Sequence, residues 1–102
     1  MNVPSPERSD ATAATGRTLQ LRSRGLDWRP VEGEIVALDL ERSQYLAANL
    51  AGALLWEALA QGITEAALVE QLAQRYGLAQ AVAAADVAAF LAALAAQSLL
   101  EP

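Results

Sequence analysis

Apolar and polar positions alternate with a period of two between residues 26 and 48, and from residue 50 onward apolar positions recur every three or four residues. The change of period predicts strands followed by helices. Leu26 to Glu32 (LDWRPVE) reads as a first strand, with Trp28 packing and Pro30 marking an edge, because proline cannot donate to a ladder. Gly33 permits a turn. In a second strand Val36, Leu38 and Leu40 point one way, while Glu34, Ala37 and Asp39 mostly point the other. Glu41-Arg42-Ser43 supplies a polar turn, and on a third strand Tyr45 and Ala47 alternate with Gln44, Leu46 and Ala48. The result is a small antiparallel sheet with a tight hairpin.

Asn49 then offers an N-cap, since its side chain can accept from a first-turn N–H. The helix after it carries Leu50, Leu54, Leu55 and Leu59 at core spacing, with Trp56 beside them, and Gly62 ends it. Thr64 caps a second helix, and Ile63 is placed to staple onto Leu68. Leu68, Val69, Leu72 and Tyr76 form the inner face of that helix, and Gly77 stops it. A third helix runs from about Gln80 to Ala96, with Val87, Phe90, Leu91 and Leu94 toward the core. Leu99 and Leu100 fold back as an anchor. Three strands and then three helices predict an α+β fold of the winged helix-turn-helix kind.

Composition narrows the chemistry. The 102 residues contain no cysteine and no histidine. Disulfides, thiolate chemistry, the usual general base and the commonest metal ligand are therefore absent. Every basic residue is Arg, and five of the seven (Arg8, Arg17, Arg22, Arg24 and Arg29) precede residue 30. From Leu50 onward Arg75 stands alone against Glu57, Glu65, Glu70, Asp86 and Glu101, which concentrates the net charge of −5 in the helical half. Residues 1–16 (MNVPSPERSDATAATG) are too polar to bury a core and are expected to form a disordered tail. They contain no signal-peptide pattern, and no stretch reaches the length of a membrane span. A cytoplasmic protein with no membrane partner is expected.

Candidate catalytic groups are few. Ser43 has no His or Lys to activate it and reads as a turn residue. Asp39 and Glu41 flank the same turn and read as solvated carboxylates. Asp86, the one charge inside the third helix, is either an exposed acid favoured by the helix N-terminus or a polar contact to a ligand lying on that helix. No Gly-rich phosphate loop, metal spacing or cofactor motif is present. Winged helices commonly bind DNA, but here the second and third helices carry one Arg and three acids. Phosphate neutralisation requires the opposite balance, so no nucleic-acid partner is expected.

The runs VALDLERSQYLAAN, AGALLWEALAQGIT, LVEQLAQRYGL and AAADVAAFLAAL, followed by Leu99-Leu100, resemble the PqqD-like family, the peptide-recognition domains of ribosomally made, modified peptides. The resemblance covers about Leu26 to Leu100 and places a recognition domain at residues 17–102. Within the family it is nearest to the free-standing leader-binding proteins of lasso-peptide biosynthesis. The chain has Ala48 where the family often has Leu, and Ser43 where it often has Gly.

The resemblance implies a non-catalytic protein without cofactors that takes the leader of a precursor peptide as an added strand. The pairing edge would be Ser43, Gln44, Tyr45, Leu46, Ala47 and Ala48. Val82, Asp86, Ala89 and Phe90 on the third helix would form the groove floor. On this reading Gln44→Pro removes an N–H from the edge. The implied partners are the leader peptide, a cysteine-protease-like leader peptidase and a cyclase. A chaperone for another modification pathway, such as one served by a radical enzyme, and an acidic winged-helix regulator are the alternatives. The unprotected edge also predicts pairing of two copies when no peptide is bound.

Overall fold

The computed structural model describes residues 17–101; the predicted tail at residues 1–16 lies outside them. In chain order the elements are β1 (Thr18–Leu19), β2 (Leu26–Val31), β3 (Glu34–Asp39), β4 (Gln44–Ala48), α1 (Leu50–Gln61), β5 (Ile63–Thr64), α2 (Glu65–Tyr76) and α3 (Gln80–Ala96). The main sheet has the order β2-β3-β4, antiparallel throughout. The three-strand, three-helix α+β arrangement of the sequence reading is the observed one.

Local chemistry explains the boundaries. Glu32 and Gly33 both adopt positive φ, 54° and 85°, which makes the two-residue loop between β2 and β3 a type I′ turn matched to the twist of its strands. The first strand therefore stops at Val31 rather than Glu32. Asn49 Oδ1 accepts from Gly52 N–H at 3.1 Å and Thr64 Oγ1 from Ala67 N–H at 3.1 Å, so both predicted caps close their helices. Gly77 ends α2 in the left-handed conformation (φ 63°), where L side chains are disfavoured.

The core lies between the helices and one face of the sheet. Leu59 and Leu68 are fully buried, joined by Leu55, Trp56, Leu72, Val87, Ile35 and Leu99. Each such side chain contributes about 1.5–3 kcal/mol by leaving water. Trp28 meets Trp56 edge to face, ring centroids 6.1 Å apart, and so ties β2 to α1. The C-terminal anchor forms as predicted. Arg22 N–H donates to Leu99 O at 2.7 Å, Glu101 N–H donates to Gln20 O at 2.8 Å, and Leu21 bridges to Leu100.

Several expectations are corrected. The alternation in β3 is real, but the face toward the core is Ile35, Ala37 and Asp39. Glu34 shares its face with Val36, Leu38 and Leu40, as a strict period of two demands, and Leu38 and Leu40 are exposed. Leu50 and Tyr76 are exposed rather than core, because each sits at the end of its helix beyond the packed turns. Phe90 and Leu91 are only half-buried. Ile63, the expected staple, packs against the core cluster that holds Leu68 and also pairs with Leu19 in a two-stranded ribbon of β1 and β5, which the sequence reading did not anticipate. Among the described residues no helix is long and apolar enough to cross a membrane.

Candidate functional site

Among the described residues β4 has a neighbour on one side only, and the geometry of its hairpin determines what its free side presents. The type I′ turn makes Val31–Glu34 a hydrogen-bonded pair. Antiparallel pairs alternate between bonded and non-bonded, so Glu34, Val36 and Leu38 turn their backbone groups to β2. Leu40 N–H continues the series by donating to Gly25 O at 2.7 Å. Ile35, Ala37 and Asp39 consequently bond to β4, where their partners are Ala48, Leu46 and Gln44. The residues left over, Tyr45 and Ala47, direct their N–H and C=O to the open edge. Gln44 faces inward, so proline at Gln44 would break the hairpin; an outward N–H is removed at Tyr45 or at Ala47, and of these Ala47 lies beside a cavity.

Beside this edge lies a cavity of about 700 Å³. Ala47 and Ala48 form one wall and Asp86, Ala89 and Phe90 of α3 the other, while Gly52 and Leu55 of α1 and Leu72 and Tyr76 of α2 close the floor and one end. A smaller cavity of about 140 Å³ shares Ala47, Ala48 and Phe90 with the first and reaches Leu46, Ala93 and Gln97. The two form one trough with Phe90 between them. From Asp86 to Gln97 it runs about 16 Å along α3, the span of about five extended residues and of β4 itself.

Six of the residues expected at the site, Leu46, Ala47, Ala48, Asp86, Ala89 and Phe90, therefore line one trough. Ser43, Gln44 and Tyr45 lie outside it. Ser43 occupies the turn with φ 54°, and Tyr45 stands 68% exposed on the opposite face of the sheet. Val82 is exposed and does not line the trough. The sequence reading missed Gly52, Leu72 and Tyr76. Gly52 carried a signal, since an isolated glycine inside a helical pattern marks close packing: a Cβ there would stand 3.2 Å from Ala48 Cβ and 3.4 Å from Phe90 Cε1. Leu72 and Tyr76 reach the trough only through tertiary packing.

The hairpin that carries β4 is fastened at its turn. Asp39, expected to be a solvated turn acid, is buried. Its Oδ2 lies 2.8 Å from Arg22 Nη2, and its Oδ1 accepts from the N–H groups of Glu41 and Arg42 at 3.1 and 3.2 Å. Arg22 Nη1 also meets Glu41 Oε1 at 2.6 Å. Burial pushes the Asp39 carboxyl upward. Its hydrogen bonds from Arg22 and the two backbone amides, with the Arg22 charge, outweigh that and hold it below the usual aspartate range. The Asp39 hydrogen bond in turn raises the Arg22 guanidinium above its ordinary value. Among the described residues no group of three His, Cys, Asp or Glu side chains converges on a metal position.

A free strand edge over an apolar trough, on three strands and three helices, defines a small binding domain of the α+β class. The chain belongs to the family described as coenzyme PQQ synthesis protein D (PqqD), whose sequence pattern matches residues 34–100. The chain of a solved structure described as TbiB1 in complex with the TbiA(beta) leader peptide is 26% identical, with a TM-score of 0.74 over 80% of this chain and 94% of that one. A lasso peptide synthetase B1 complexed with the leader peptide shares the fold at 24% identity, with a TM-score of 0.72 over 82% of this chain and 98% of that one. No curated protein matches.

Proposed function

We propose that this chain is a non-catalytic recognition protein. It binds the leader of a ribosomally made precursor peptide as a fourth strand on β4 and presents it to a leader peptidase and other modifying enzymes of a lasso-peptide pathway. The observation that carries this reading is the outward pair Tyr45 and Ala47 beside the trough. Backbone bonds to the edge supply affinity without regard to sequence, and alternate side chains of the added strand drop toward α3, where pockets select among them. The leader-bound relatives of the same fold support the reading. The absence of His and Cys leaves the chemistry to partner enzymes, and we place the protein in the cytoplasm with them.

The family's association with coenzyme PQQ synthesis favours a second pathway, a peptide chaperone for another modifying enzyme. The identity of the enzyme that co-purifies with the leader-bound protein discriminates the two. In either pathway the same edge can pair two copies. A two-fold axis through Leu46 sets Tyr45 against Ala47 of a second copy, and their outward groups bond mutually.

An amide chemical-shift titration with the leader half of the precursor encoded beside this gene tests the reading. It predicts shifts concentrated at Tyr45–Ala48 and Asp86–Ala93. Shifts confined to the far side of the molecule, or none, overturn it.

A further inference from the structure

We infer that Asp86 selects the bound peptide by charge, by pairing with a Lys or Arg side chain that lies over the large cavity at the Ala48 end of β4. This rests on strand addition at β4 and names what that site prefers.

The large cavity is lined mostly by apolar side chains. Among the described residues, apart from the Tyr76 phenol, Asp86 is its one ionisable group, and the one other polar side chain, Asn49, already accepts the Gly52 N–H. Asp86 has no structural task that accounts for it. It sits in the second turn of α3, past the first turn where a carboxylate gains from the helix dipole. It makes no ion pair or side-chain hydrogen bond among the described residues. Aspartate is also a poor helix former among the alanines around it.

A strand on β4 covers this carboxylate and strips part of its water. A covered, unpartnered charge is costly, so an apolar peptide binds less well there than one that brings a cation, and an acidic one is repelled. The balance of the whole helical half, one Arg against five acids, adds a longer-range field of the same sign. An aromatic or aliphatic side chain fills the apolar part of this space, and the cation sits two positions away along the strand, on the same face and within reach of α3.

The test is a random dodecapeptide library displayed on phage, selected at low salt on the intact protein, on Ala47→Pro and on Asp86→Asn. Circular dichroism first confirms that both variants are folded. The expected pool requires an intact Ala47 and is rich in Lys or Arg at a fixed spacing from an apolar anchor. That cationic excess disappears on Asp86→Asn. A peptide from the pool binds Asp86→Asn about five- to tenfold more weakly at low salt, and the difference shrinks at high salt. A pool that needs Ala47 but shows no cationic excess, or the same excess on Asp86→Asn, overturns the charge rule and leaves strand addition standing. A pool indifferent to Ala47→Pro, or none at all, overturns both.

Discussion

Phe90 rests on Gly52, with its Cε1 only 3.4 Å from where a Cβ on that glycine would stand. The contact brings together α1, which the sheet feeds, and α3, which forms the far wall of the trough. It sets how wide the trough opens, because Ala48 of β4 also stands against Gly52, its Cβ 3.2 Å from the same point.

Gly52→Ala therefore separates stability from binding. Alanine gains about 1 kcal/mol in helix propensity, and crowding against Ala48 and Phe90 takes back a similar amount. The melting temperature should change little while leader affinity falls several-fold, read by chemical denaturation and by titration on the same sample. A larger residue, as in Gly52→Leu, should abolish binding and destabilise the fold by about 1–3 kcal/mol.

The Arg22–Asp39 pair predicts a direction with pH. The folded-state pKa of Asp39 is lowered, so the carboxylate contributes stability that is fully present above its unfolded value, about 3.9. That contribution is lost as pH falls through the folded value. Thermal melts should be flat from neutral pH to about 5 and then fall. Asp39→Asn should be less stable than the parent at pH 7 and lose less on acidification. Arg22→Gln, which leaves a buried carboxylate without its cation, should be the more damaging of the two at pH 7.

The type I′ turn offers a gain. Glu32 holds φ 54° where Asn is favoured before Gly. Glu32→Asn should raise stability by about 0.5–1 kcal/mol, measured by urea unfolding, and leave leader binding unchanged because the turn lies away from the trough.

Self-pairing through β4 predicts a concentration-dependent dimer by sedimentation velocity, dissolved by saturating leader and absent in Ala47→Pro. A monomer at millimolar concentration, with leader binding intact, would remove the dimer from the account.

The sequence made the periods, the caps and the order of elements legible, because Asn49, Thr64, Gly62 and Gly77 act within a turn of their own positions. It did not reveal which face of β3 turns inward. Val36, Leu38 and Leu40 look like the core face, and only the pairing of Asp39 with Arg22 from an earlier segment makes burial of the other face affordable. The two-residue strands β1 and β5 are too short to carry a pattern. The site was half legible: α3 and β4 could be named from the resemblance, but the walls supplied by Leu72 and Tyr76, and the inward bonding of Gln44, follow from packing and register.

The most direct test of strand addition is fluorescence anisotropy of the labelled leader against three proteins: the parent, Ala47→Pro and Tyr45→Ala. Saturable binding to the parent and to Tyr45→Ala, whose backbone still reaches the edge, with at least a tenfold loss in a folded Ala47→Pro, is the predicted result. Equal binding to the parent and a folded Ala47→Pro would contradict the account.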